Sequence, residues 1–376
     1  MPEQRSIPCV IARGGTSKGI YIKANHLPQE PVQRDKAILA IFGSPDIRQI
    51  DGLGGADPLT SKLAIIGPPS RSDADVDYTF GQVSFRAPVI DYSGNCGNIS
   101  SGVGPFSIDE GLVKAVEPVT IVRIHNTNTG KLIVAEVPVK DGRAEVYGDC
   151  AIDGVPGTGA RIMLDFADTA GSATGKLLPT GHLKETLATK YGAFEVSLVD
   201  CANAMVFVKA QSLDLKGIEG PKKIDGDKAL LDRLEAIRGA ASVALGFSQT
   251  PEEALIKNPA FPMLAVVSPP ADYLAFGTGV IVKADSISFV ARNMFMQVLH
   301  KTYAGTGSVC TAVAACIPGT VVNEVCATHP NWGSVINIGH PSGIISVEAV
   351  VVELEVKRAA FPRTARRIME GRVLIP

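Results

Sequence analysis

Charge is sparse in this chain and evenly balanced. Among 376 residues, 36 are Lys or Arg and 38 are Asp or Glu, which leaves a formal net charge of −2. No basic run occurs, and no stripe of basic and aromatic residues, so a nucleic-acid partner is excluded. No apolar run approaches the ~18 residues that span a bilayer, which excludes a membrane-crossing helix. The opening MPEQRSIPCV lacks the apolar core of a signal peptide. Cysteines are 7 in number (Cys9, Cys96, Cys150, Cys201, Cys310, Cys316, Cys326), odd and scattered. They form neither a C-x-x-C nor a zinc-spaced Cys/His cluster, so no metal site is expected. A reduced, cytoplasmic protein follows, with most thiols acting as small buried hydrophobes.

Hydrophobic residues make up 45% of the chain, an ordinary globular share, and its length exceeds one core, so two domains are expected. Pro31 to Phe42 has the apolar spacing of a helix stopped by Gly43. Ile7 to Ala12 and Gly19 to Lys23 read as strands, as do residues 76–85, 119–125, 131–139, 194–199, 205–209 and 345–356. Helices are expected over 227–238 and 287–301. The polar segment 181–192 is the candidate domain boundary. Many antiparallel strands with few helices indicate α+β domains.

The stretch RGGTSKG contains a literal G-x-S-x-G at Gly15–Gly19. A hydrolase nucleophile needs strand, turn and helix. Here a second strand follows, so the glycines read as a cradle, with Thr16 and Ser17 as donors to an anion. Asn95-Cys96-Gly97-Asn98 and Gly305-Thr306-Gly307-Ser308 each open a small-residue apolar stretch. Both look like turns entering buried helices, whose N–H groups attract anions. Pro105 argues against a long first helix. Two such termini in two halves suit a ligand with several carboxylates held at the domain interface.

Cys96 reads either as a small core residue or as a reactive thiol, since a helix N-terminus favours the thiolate. Lys62, in LTSKLAII, is either a solvated strand edge or a desolvated general base. GSATGK, residues 171–176, is one residue short of a nucleotide-binding loop, and Leu177 replaces the magnesium-binding Ser or Thr. His340 in GHPSG either meets a carboxylate or simply caps a turn.

RGGTSKG, QIDGLGGADPLTSKLAIIG, DADVDYTFGQV, VDYSGNCGN, TGKLLPTG, HKTYAGTG, IPGTVVNEV, GHPSG and RTARRIMEG occur in an order that resembles one family across almost the whole chain. It is the family of 2-methylaconitate cis–trans isomerase, 4-oxalomesaconate tautomerase, aconitate Δ-isomerase and methylitaconate Δ-isomerase. The resemblance implies a diaminopimelate epimerase-like α+β fold of two similar domains, each a curled sheet around a central helix, with the active site between them. The first would span 1–182, completed by a strand at 360–376, and the second 183–359. It implies Cys96 and Lys62 as catalytic residues. Gly15, Thr16, Ser17, Asn95, Gly97, Asn98, Thr306, Gly307, Ser308, His340 and Ser342 would bind substrate. The epimerases' second cysteine is missing, because Ala304 stands in its place. The implied reaction is a cofactor-free allylic proton shift in a small unsaturated di- or tricarboxylate. Methylitaconate, an intermediate of nicotinate fermentation, is the leading substrate, and 4-oxalomesaconate or (methyl)aconitate the alternative. An accessory protein of a dehydratase is a further alternative, and a homo-oligomer is left open.

Overall fold

The computed structural model describes residues 4–92, 94–327 and 335–376. The chain forms two compact units, residues up to Asp165 with Pro362–Pro376, and Phe166–Phe361. Among the described residues no helix is long and apolar enough to cross a membrane.

In the first unit, β1 (Arg5–Gly14) and β2 (Ser17–Lys23) form the expected hairpin. After β2 comes α1 (Pro31–Phe42), which starts where Glu30 accepts Val32 and Gln33 N–H and ends at Gly43 in the left-handed region. Next are β3 (Lys62–Gly67), β4 (Val76–Val83), α2 (Gly97–Asp109), β5 (Val119–Asn126) and β6 (Lys131–Lys140). The C-terminal strand Ala365–Ile375 lies antiparallel to β1. Beyond the hairpin, β2–β3 is parallel, β3–β4 antiparallel, β4–β5 parallel and β5–β6 antiparallel.

This sheet wraps α2, which packs on strands β1 to β6. Its other face meets Ile38, Ile41 and Phe42 of α1, each contributing about 2 kcal/mol by leaving water. Covered on both sides, β3 is buried along its whole length. Close approach explains the small residues of α2: a Cβ on Gly102 would come within 2.3 Å of Tyr21 Oη. Pro105 sits inside α2 without ending it. Burial of nearly the whole helix outweighs the ~3 kcal/mol that an interior proline costs.

In the second unit, β7 (Glu185–Thr189), β8 (Gly192–Cys201) and β9 (Asn203–Lys209) form an antiparallel run. The segment 181–192 is thus not merely polar linker, because Leu187 of β7 is buried. Then follow α3 (Lys228–Ala244), capped by Asp227, β10 (Met263–Ser268), β11 (Phe289–Phe295), β12 (Val298–Leu299), α4 (Gly305–Ala315), β13 (Val335–His340) and β14 (Gly343–Val352). The expected helix over 287–301 is instead β11, a turn at Met296-Gln297 and β12. Helix-forming Ala, Arg and Met are overridden because β11 is the inner strand between β10 and β13. Pairing repeats the first unit: β8–β9 antiparallel, β9–β10 parallel, β10–β11 antiparallel, β11–β13 parallel and β13–β14 antiparallel. Here α4 takes the place of α2, and α3 covers the outer face.

Candidate active site

The turn between β1 and β2 consists of Gly15 and Thr16, with Gly14 opposite Ser17. Gly15 has φ +50°, and a Cβ there would meet Asn98 Oδ1 at 2.1 Å. Only glycine satisfies both demands. Its N–H donates to Thr364 O at 2.9 Å, and its carbonyl accepts from Arg13 Nη1 at 2.9 Å.

Thr16 lies against the first turn of α2. Its N–H donates to Asn98 Oδ1 at 3.3 Å, and its Oγ1 accepts from Asn98 Nδ2 at 3.0 Å. Arg363 Nε donates to the same Asn98 oxygen at 3.0 Å. Two donors facing one end of the amide settle which end is oxygen. With Asn98 occupying a lone pair of the Thr16 hydroxyl, its hydrogen is left to donate elsewhere. Ser17 is 2% exposed, and among the described residues its Oγ has no hydrogen-bond partner. Alternation puts it on the same face of β2 as Gly19 and Tyr21. That face is covered by α2, where Tyr21 Oη donates to Ile99 O at 2.7 Å. An unsatisfied buried hydroxyl costs about 1–3 kcal/mol, which a ligand oxygen would recover.

Cys96 is the N-cap of α2, half-buried, and its side chain makes no capping bond. The Ser100 N–H and hydroxyl meet its carbonyl at 2.9 and 3.0 Å. The same hydroxyl lies 3.2 Å from Asn95 Oδ1, which ties Asn95 to the helix start beside the buried Gly97. Burial pushes the Tyr21 and Tyr78 hydroxyls well above their ordinary value, and the nearby Cys96 adds to both. Burial also pushes the Arg363 guanidinium down to about 10, partly offset by the Cys150 and Cys96 thiols. Arg363 therefore still carries its charge at neutral pH. Burial raises the Cys316 thiol to about 11 and the Cys326 thiol to about 12.

Lys62 begins β3 opposite Gly19 and Gln82 and is 8% exposed, so it is no solvated edge. Its Nζ donates to Gln82 Oε1 at 2.7 Å and stands 5.3 Å from the Phe80 ring centroid.

The predicted residues of the second unit are differently engaged. Thr306 Oγ1 accepts from Asn203 Nδ2 at 3.2 Å, a second threonine whose hydroxyl hydrogen is left to donate. Gly307 accepts the Thr311 hydroxyl at 2.7 Å, and Ser308 Oγ donates to Gly305 O at 2.7 Å. Ser342 donates its N–H to His340 Nδ1 at 3.2 Å and its hydroxyl to Lys301 O at 2.6 Å. Ala304 caps α4 where Cys96 caps α2. Lys62 faces the residue two past the start of β2, and Met263 faces the residue two past the start of β9. The second unit thus carries Ala304 and Met263 at the places that match Cys96 and Lys62. The GSATGK loop binds an internal anion: Ala173 and Thr174 N–H donate to the buried Asp200 carboxylate at 2.9 and 2.7 Å.

Arg363, Gln82 and Tyr78 escaped the sequence reading. Each was visible only as a letter inside a longer motif, without periodicity or spacing to mark it.

Repeated sheet-around-helix units define the class, a diaminopimelate epimerase-like fold. A solved hydroxyproline epimerase from Agrobacterium vitis shares it at 12% identity and TM-score 0.57, covering 100% of this chain and 94% of its own. More narrowly, the chain belongs to the PrpF protein family, whose profile matches residues 4–376. It is 58% identical to 3-methylitaconate isomerase of Eubacterium barkeri over 100% of this chain and 98% of that protein. The crystal structure of a methylitaconate-delta-isomerase matches at TM-score 0.92 and 58% identity, covering 99% of this chain and 96% of that one. The 4-oxalomesaconate tautomerase of Pseudomonas putida is 39% identical over 99% of this chain and 97% of its own length.

Proposed function

We propose that the protein isomerises methylitaconate to dimethylmaleate by an allylic 1,3-proton shift. The C–H bond between one carboxylate and the alkene breaks, its electron pair shifts the double bond, and a new C–H bond turns the terminal methylene into a methyl group. A proton beside a carboxylate is very weakly acidic, so the developing dienolate needs fixed positive charge and donors, each worth a few kcal/mol. The observation that carries this reading is the cluster at the start of α2. There the buried Arg363 cation and the Thr16 hydroxyl meet at Asn98, in the first turn of the helix that Cys96 caps, and the orphan Ser17 hydroxyl lies on the strand face that this helix covers.

In this reading Cys96 and Lys62 divide proton removal and return, while Thr16, Ser17 and Arg363 hold a carboxylate. No metal or organic cofactor enters. The 58% identity to 3-methylitaconate isomerase supports the substrate. A reducing, cytoplasmic setting suits seven free thiols.

The test is a panel of methylitaconate, aconitate, 2-methylaconitate and 4-oxalomesaconate, followed by the absorbance of the rearranged product. Fastest turnover of methylitaconate is expected. Faster turnover of 4-oxalomesaconate would move the assignment toward the tautomerase, and inactivity on all four would overturn it.

A further inference from the structure

We propose that Gln82 is a positioning residue that aims the Lys62 ammonium and keeps it able to exchange its proton. The proposal rests on the catalytic reading of Lys62 given above. Gln82 Nε2 donates to Pro58 O at 3.2 Å and to Ser61 O at 3.1 Å. Carbonyls only accept, so the amide nitrogen must face them, and Oε1 must face Lys62. The two carbonyls belong to the loop that leads into β3. Gln82 therefore clamps the backbone just before Lys62 and holds its side chain at 2.7 Å in the same act.

The neutral character of this partner matters. A carboxylate at that distance would favour the ammonium and resist its loss of a proton. An apolar residue would leave a buried ammonium unheld and disfavour it. An amide oxygen orients one N–H, leaving two for substrate or exchange.

Facing Lys62 across the sheet, β2 offers Gly19 and β4 offers Gln82 and Phe80, none of them titratable. Titratable groups on the neighbouring elements include Lys18, Tyr21 and Lys23 of β2, Asp77 and Tyr78 of β4, Cys96 at the start of α2, Asp57, whose carboxylate accepts Leu59 N–H, and Asp91 across from Gln82. None of these residues is replaced when Gln82 is changed. Nor does the fold require the pair, since the matching place in β10 is Met263.

The experiment compares wild type with Gln82→Met and Gln82→Glu. It reads kcat and KM on methylitaconate, and the pH midpoint for labelling Lys62 with an amine-reactive reagent, followed by peptide mass spectrometry. In Gln82→Met we expect kcat to fall roughly tenfold or more with KM unchanged, as misaim of a catalytic group predicts. Its labelling midpoint should move to lower pH, and that of Gln82→Glu to higher pH by about one unit. A purely structural clamp would lower stability without moving the two midpoints in opposite directions. Gln82→Glu keeps the side-chain length and decides the matter alone should Gln82→Met not fold. An unmoved midpoint in Gln82→Glu, or a Gln82→Met kcat near that of wild type, would overturn the proposal. Wild type inactive on the whole panel would sink the reading of function instead, while the labelling arm would still test Gln82.

Discussion

Lys62 is buried against Phe80 and Gln82, whereas the Cys96 side chain makes no capping bond at its helix terminus. In the proposed mechanism Lys62 carries a proton, so Lys62→Ala should lower kcat by at least about 100-fold, the scale of general acid–base assistance. Cys96→Ser keeps the shape but should lose most of the rate, because a hydroxyl is far less acidic than a thiol. Steady-state rates within a few-fold of wild type would remove either residue from the chemistry. Ser17 invites a different measurement. Among the described residues its hydroxyl has no hydrogen-bond partner, a cost that a ligand oxygen would relieve. Ser17→Ala should therefore bind a saturated polycarboxylate such as tricarballylate about tenfold more weakly by calorimetry, with Tm equal or higher. A structural serine would give lower Tm and unchanged binding.

Among the elements, α2 carries a distinct chemical group at each of its ends. Its N-terminus carries Cys96, and its C-cap is Glu110, which meets Lys23 of β2 at 2.9 Å and Arg367 of the C-terminal strand at 3.0 Å. Burial pushes the Glu110 carboxyl up, but the hydrogen bonds from Lys23 and Arg367 outweigh it and hold it below its ordinary value. A carboxyl that binds its proton more weakly when folded adds stability that is whole above the unfolded value near ~4.3. That stability is lost as pH falls through the folded value. Glu110→Gln should thus be less stable than wild type in urea at pH 7, by about 1 kcal/mol at most for so exposed a network. The gap should close in strong acid, and a gap independent of pH would show that the ion pairs contribute nothing.

For the whole molecule, the repeated topology carries unlike residues at matching places. The first unit holds Cys96 and Lys62, while the second has Ala304 and Met263 at the matching places. Catalysis by side-chain proton carriers and fixed donors predicts that exhaustive dialysis against a chelator leaves turnover unchanged. A loss restored by a divalent ion would contradict this mechanism.

Local chemistry was legible in the amino-acid order: the Gly15 turn, the Pro31 start and Gly43 stop of α1, and the glycine entries into α2 and α4. Each depends on backbone preferences and caps spanning a few residues. Cys96 and Lys62 were likewise singled out by their flanks, with the family motifs tipping an open choice. What lay beyond sequence depends on distant partners. Phe289–Phe295 became a strand because β10 and β13 flank it. Asp200 filled the GSATGK loop from a strand 26 residues beyond Thr174, and a separation of 265 residues hid the bond from Arg363 to Asn98. Gln82 became the partner of Lys62 only when β3 and β4 paired. Hydrogen bonds between residues far apart in the chain leave no periodic trace along it, so tertiary structure alone decided which of these side chains meet.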